Sequence, residues 1–111
     1  MREGPAESVR TGIDGALVLL PESPSTGYRW HLDAHPPEVS VKAALFQERG
    51  VGTPSAGASG TRAFLLACDH QKPVDVVFVL RRPWEHEGIE RRVITLLPPA
   101  EGGERLPSPE R

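Results

Sequence analysis

The chain has 111 residues and a formal net charge of −2, so it lacks the basic surface of a nucleic-acid-binding domain. Hydrophobic residues make up 38% of it, enough for the core of one domain, and no apolar run approaches the roughly 20 residues of a membrane-spanning helix. Cys68 is the single cysteine, which excludes an internal disulfide. The 12 prolines and 11 glycines disfavour long helices and favour short strands joined by turns.

Short apolar segments separated by turn residues predict six to eight strands. We place them at residues 8–11 (a short edge strand), 16–20, 28–32, 38–47, 62–68, 74–81 and 89–97.

Several of these segments carry further information about burial. Residues 16–20 are apolar without polar alternation, which indicates a strand covered on both faces. Residues 38–47 alternate with period two, which predicts one buried face. The Val-rich segment 74–81 is expected to be central in its sheet, and the last strand is expected to start with exposed charges at residues 90–92.

The ends of the chain differ from the rest in composition. We assign residues 1–97 to a single domain in which residues 1–7 are loose, and residues 98–111 to a disordered tail rich in Pro, Gly and charge. Residues 1–7 lack the apolar segment of a signal peptide. The expected location is therefore cytoplasmic if Met1 is the true start, and secreted or periplasmic if a signal peptide has been removed.

These elements predict an all-β fold, an immunoglobulin-like antiparallel β-sandwich, with a small closed barrel as the structural alternative. In a sandwich each strand crosses the domain, so successive connections alternate between its two ends. The long connections 21–27, 48–61 and 82–88 are every other connection. We therefore expect these three loops to cluster at one end.

The three loops contain residues suited to recognition. In the first, Pro24 restricts the backbone, and Gly27 can adopt a positive φ that most residues avoid. The third has Trp84 at its tip, and Trp is among the residues most enriched at binding hot spots. The second is rich in small residues that allow another backbone to approach closely.

Three motifs in this order resemble those of the chagasin-type inhibitors of papain-like cysteine peptidases. The family patterns are Asn-Pro-Thr-Thr-Gly followed by an aromatic residue, Gly-x-Gly-Gly, and Arg-Pro-Trp. The matching residues are Ser23, Pro24, Ser25, Thr26, Gly27 and Tyr28 in the first loop, Gly57, Ala58, Ser59 and Gly60 in the second, and Arg82, Pro83 and Trp84 in the third. Ser23 stands for Asn and Ser59 for Gly, and these are the positions where affinity or target is expected to differ from the family. The resemblance covers residues 16–97.

The resemblance implies a reversible, non-covalent inhibitor whose three loops enter the peptidase cleft. Thr26 would lie nearest the nucleophilic thiolate, Trp84 would be the buried aromatic anchor, and Arg82 a polar partner at the rim. The implied partner is a papain-like cysteine peptidase, with no nucleic acid, no membrane, no cofactor and no metal, and the protein is expected to be a monomer.

An enzyme is the first alternative, and the sequence gives it little support. Cys68 lies in an apolar run, which indicates an inert buried thiol rather than a nucleophile. His86 and Glu87 begin like a zinc-protease motif, but Glu90 stands where the second His is needed. We therefore predict no catalytic residue and no metal site.

An immunoglobulin-like binding or adhesion module with a ligand other than a peptidase is the second alternative, because a fold does not determine a function. Inhibition of a papain-like enzyme that is lost when the loop tips are mutated would discriminate between the two.

Overall fold

The computed structural model describes residues 1–48, 60–69 and 71–99. Its strands are β1 Arg2–Glu3, β2 Glu7–Arg10, β3 Ala16–Glu22, β4 Arg29–Ala34, β5 Val39–Glu48, β6 Gly60–Cys68, β7 Val74–Arg81 and β8 Glu90–Leu97. The predicted all-β fold is confirmed. In the part of the chain that the structure describes, no helix has the length and apolar character needed to cross a membrane.

The strands form two sheets. One has five strands in the order β1-β8-β7-β4, with β2 also paired to β8, and the other has three strands in the order β3-β6-β5. Strand β7 lies between β4 and β8, as its Val-rich sequence predicted. Most neighbours are antiparallel, but β1 and β2 run parallel to β8, which differs from the antiparallel arrangement that we expected throughout.

The core lies between the two sheets. It combines inward side chains of the three-stranded sheet with those of the five-stranded sheet, and the rings of Phe64 and Phe78 meet across it with their centroids 4.9 Å apart. The largest fully buried side chains are Phe78, Leu20, Leu66, Ile94, Leu96, Val18, Val39 and Val76. This two-layer packing confirms the sandwich.

Among the described residues, strand β3 is covered on one face, not on both as its apolar run indicated. Ala16, Val18 and Leu20 are completely buried, whereas Leu17 and Leu19 on the other face are 52% and 53% exposed. Unbroken hydrophobicity shows that both faces are apolar. It does not show that a second layer packs on each of them.

Strand β5 also departs from its predicted single buried face. Its register against β6 shifts between Val41 and Ala43, so an extra residue moves the following side chains to the opposite face. Leu45 pairs with Ala63, as Leu19 does, and is 55% exposed on the outer face.

The N-terminal residues are more ordered than the loose segment that we expected. Arg2 pairs with Glu90 and Glu3 with Arg91, and β2 begins at Glu7. The amide of Gly4 also donates to the carbonyl of Arg91 at 2.8 Å. Charge pairing and parallel addition to β8 hold this segment, and neither feature follows from apolar periodicity. Most of the predicted C-terminal tail lies outside the described residues.

Strand registers place both ends of all three loops at one end of the sandwich. Glu22 and Glu48, which end β3 and β5, both pair with Gly60 at the start of β6. In the other sheet, the start of β4 pairs with Arg81 at the end of β7. We call this end the loop end, and we define the first, second and third loops as residues 23–28, 49–59 and 82–89.

Candidate functional site

The first loop has a backbone fixed by its own hydrogen bonds. Pro24–Thr26 form a single 3-10 turn, in which the amide of Thr26 donates to the carbonyl of Ser23 at 3.2 Å. The Thr26 hydroxyl donates to the same carbonyl at 2.8 Å and accepts the amide of Tyr28 at 3.2 Å. Gly27 then adopts a φ of 81°, in the left-handed region predicted for it. The loop therefore holds a defined shape without a partner.

The third loop is held by carbonyl contacts to Arg81. The guanidinium Nη1 of Arg81 donates to the carbonyl of Glu85 at 3.1 Å and lies 3.5 Å from those of Arg82 and Pro83. The amide of Ile89 donates to the carbonyl of Leu80 at 2.8 Å and closes the loop. Trp84 remains 72% exposed at the tip.

Arg82 joins the first loop to the third. Its Nε donates to the carbonyl of Thr26 at 3.3 Å, and its guanidinium carbon lies 4.4 Å from the centroid of the Tyr28 ring. A Cβ built on Gly27 would lie 3.5 Å from the Trp84 ring. The structure therefore brings Thr26, Gly27, Tyr28 and Arg82 together beside Trp84. Ser25 and Pro83 are exposed on the same two loops, and Pro24 lies in the 3-10 turn.

The second-loop residues are only partly described. Gly57, Ala58 and Ser59 lie outside the described residues, and Gly60 begins β6. A Cβ on Gly60 would lie 2.5 Å from the carbonyl oxygen of Gln47 and would collide with the Phe46 ring. The close approach that requires glycine at this position is therefore internal to the sheet.

A buried ion pair that no sequence motif indicates lies beneath the first loop. The carboxylate of Glu22 has no exposed surface and accepts Nη2 of Arg62 at 2.6 Å. It also accepts the amide of Trp30 at 3.0 Å, while the Trp30 indole N–H donates to the carbonyl of Pro21 at 2.8 Å. The available signal was the two-residue spacing of a strand, which places residue 22 on the same face as residues 16, 18 and 20.

A second buried carboxylate lies beneath the third loop. Glu90 is 5% exposed and accepts Nη2 of Arg2 at 2.5 Å and Nε of Arg92 at 2.7 Å, and Arg92 lies over the Trp30 ring. Burial alone would raise the pKa of Glu90, but the bonds and charges of these two arginines outweigh it and hold the pKa below its usual 4.5. The expectation that residues 90–92 form an exposed start of the strand is thus wrong for residues 90 and 92, which face the interior. It holds for Arg91, whose side chain is 43% exposed.

Two groups capable of nucleophilic or acid–base chemistry have pKa values shifted so that their neutral forms are favoured. Burial raises the pKa of the Cys68 thiol, partly offset by a hydrogen bond with Thr11. Burial, and then the charge of Arg81, lowers the pKa of His31 and favours its neutral form. Among the described residues, no three His, Cys, Asp or Glu side chains are grouped to hold a metal ion.

Comparison with known proteins identifies the family. The profile described as chagasin family peptidase inhibitor I42 matches residues 14–96, well over half of the chain. The chain belongs to the chagasin family of peptidase inhibitors. Its functional class is therefore inhibition of cysteine peptidases.

Solved structures show the same fold. The cysteine protease inhibitor EhICP2 from Entamoeba histolytica is 18% identical with a TM-score of 0.61, and the match covers 85% of this chain and 98% of that one. Amebosin is 22% identical with a TM-score of 0.56, covering 88% of this chain and 100% of its own. A comparison with curated protein sequences found no significant match.

Proposed function

We propose that this chagasin-family chain is a reversible, non-covalent inhibitor of papain-like cysteine peptidases and that its loop end enters the active-site cleft. It acts as a single domain, residues 1–97, and as a monomer without catalytic activity of its own. Its partner is a peptidase rather than a nucleic acid or a membrane.

The observation that carries this proposal is the joining of two motif loops into one rigid surface. Arg82 bonds to the carbonyl of Thr26 and stacks on Tyr28, so the first and third loops present their residues together before any partner arrives. A surface that is already ordered loses little conformational entropy on binding.

The shape of the first loop explains how it could occupy an active site without being cleaved. Peptide hydrolysis requires the scissile bond to reach a near-attack alignment with the nucleophile. The 3-10 turn at Pro24–Thr26 and the left-handed Gly27 keep the backbone away from an extended conformation. The Thr26 carbonyl is already bonded to Arg82 and is not free to move into an oxyanion hole.

In this arrangement the first loop lies over the catalytic Cys and His of the target, and Trp84 fills an apolar pocket beside them. The second-loop residues Gly57, Ala58 and Ser59 contact the enzyme on the other side of its active centre, and their small size suits a close approach. Gly60, at the start of β6, connects them to the sheet.

The test is a titration of papain and a cathepsin-L-type enzyme with the purified protein, using a fluorogenic peptide substrate and a serine peptidase as control. We expect inhibition of the cysteine enzymes alone, full recovery of activity on dilution, and an intact inhibitor mass after prolonged incubation. Absence of inhibition at micromolar concentration, or a cleaved or covalently bound inhibitor, would contradict the proposal.

A further inference from the structure

Glu22 occupies a position where an apolar residue would be expected. It continues the inward row of Ala16, Val18 and Leu20 on β3, and its side chain is completely buried. Removing a carboxylate from water is unfavourable unless it is fully paired, and a buried ion pair often gives no more stability than apolar residues of the same size. Core stability alone therefore does not explain the charge at this position.

The Glu22 carboxylate provides a hydrogen-bond acceptor for a backbone amide of the other sheet, which an apolar side chain cannot provide. Trp30 lies on β4, an edge strand of the five-stranded sheet, and its amide donates to Oε1 of Glu22 at 3.0 Å. The indole N–H of Trp30 donates to the carbonyl of Pro21, the residue before Glu22. Two hydrogen bonds thus join the end of β3 to the start of β4, which are the two ends of the first loop, across the space between the sheets.

Arg62 extends the same connection to the second loop. Its Nε and Nη2 reach both carboxylate oxygens of Glu22, and its guanidinium carbon lies 5.2 Å from the centroid of the Phe46 ring. Arg62 lies two residues after Gly60, which begins β6, and Phe46 lies two residues before Glu48, which ends β5. The two side chains therefore lie close to the two ends of the second loop. One carboxylate therefore links the strands that carry the first loop to the strands that carry the second.

We infer that Glu22 is a positioning residue for peptidase binding: its carboxylate holds β4, and with it the far end of the first loop, against the sheet that carries the second loop, and it contacts the enzyme nowhere itself. This inference rests on the proposed inhibitory function. Loops fixed at the correct spacing before binding are ordered at little further entropic cost, whereas unlinked loops must be ordered by the partner.

Two variants separate positioning from stability. Glu22→Gln removes the charge but keeps an oxygen for Trp30. The double variant Glu22→Leu with Arg62→Met replaces the ion pair by apolar side chains, which commonly preserves folding. Val39→Ala is the matched control, because it opens a cavity in the core at the end of the sandwich opposite the loops.

The measurements are the inhibition constant, the thermal unfolding midpoint and the amide hydrogen exchange of Tyr28 in the free protein. For the double variant we expect a near-wild-type midpoint, an inhibition constant raised at least tenfold, and Tyr28 exchange at least tenfold faster. Glu22→Gln should change the inhibition constant and the exchange rate in the same direction by a smaller factor. Val39→Ala should lower the midpoint and leave the inhibition constant within twofold.

Failure of this inference is distinguishable from failure of the proposed function. If the wild-type protein inhibits but the folded double variant inhibits equally well, Glu22 has no positioning role. An unchanged Tyr28 exchange rate overturns the inference without any peptidase in the experiment. If the wild-type protein does not inhibit cysteine peptidases, the proposed function fails instead.

Discussion

Removal of the Trp84 indole tests the proposed binding surface most directly. Trp84 is 72% exposed in the free protein. A Trp side chain buries about 150–250 Å² when fully covered, so roughly 110–180 Å² is available to a partner. At about 25 cal/mol per Å² this area corresponds to about 3–4.5 kcal/mol if it is covered completely, and to about 2 kcal/mol if it is half covered. We therefore expect Trp84→Ala to weaken inhibition by at least about 30-fold.

The same substitution should leave the free protein stable, because an exposed side chain contributes little to folding. We expect a change in unfolding free energy within about 0.5 kcal/mol. Ile13→Ala is the matched control, since Ile13 is 98% exposed at the turn before β3, at the end opposite the loops.

The assay is a titration of a papain-like enzyme with each variant, together with urea unfolding of each variant alone. An inhibition constant for Trp84→Ala within threefold of wild type would remove Trp84 from the binding surface. A loss of inhibition by Ile13→Ala of similar size would show that exposed apolar area, rather than the loop end, determines binding.

Three further predictions concern the loops and the charges beneath them. Thr26→Val should weaken inhibition about tenfold and Thr26→Ser should weaken it far less, because Ser keeps the hydroxyl that bonds the Ser23 carbonyl and the Tyr28 amide and Val loses it. Equal titration curves for the two variants would refute this role of the hydroxyl. Gly60→Ala should lower the unfolding free energy in urea by about 1–3 kcal/mol, since the new Cβ would meet the Gln47 carbonyl and the Phe46 ring, and a wild-type midpoint would contradict the crowding. The folded-state pKa of Glu90 is lowered, so its stabilising contribution is present above its ordinary pKa of 4.5 and is lost as the pH falls through the folded-state value. The difference in thermal midpoint between wild type and Glu90→Gln should therefore shrink as the pH falls below 4.5, and a constant difference would count against the pairing with Arg2 and Arg92.

Local patterns in the sequence were sufficient to predict the strands from β2 onward and the end of the sandwich at which the loops lie. Alternating and Val-rich segments identify strands, and the order of connections then places every second loop at the same end. The positive φ of Gly27 follows from a glycine that ends a turn beginning with Pro24. The strands, the order of the loops and the conformation of Gly27 all depend on residues that are close together in the sequence.

The features that the sequence analysis missed depend on contacts between distant segments. An apolar run cannot reveal that the outer face with Leu17 and Leu19 has no second layer on it among the described residues. A charged residue near a predicted turn indicates an exposed loop position, which is the prediction for Glu22, although Glu22 lies in the inward row and pairs with a residue 40 positions away. The burial of Glu90 is equally hidden in the sequence, because its partner Arg2 is separated from it by 88 positions.

The attachment of β1 and β2 to β8 has a consequence for how the protein folds during its synthesis. Thr11 donates its amide to the carbonyl of Leu97, and Arg2 reaches Glu90, so β1 and β2 cannot complete their contacts until β8 has been synthesised. Contacts this distant in sequence form slowly, since a long loop must close before they form. On the ribosome, the three-stranded sheet can assemble while β8 is still inside the exit tunnel. The third loop acquires its second flanking strand only after β8 emerges, so the nascent chain becomes competent to bind only once β8 has left the tunnel.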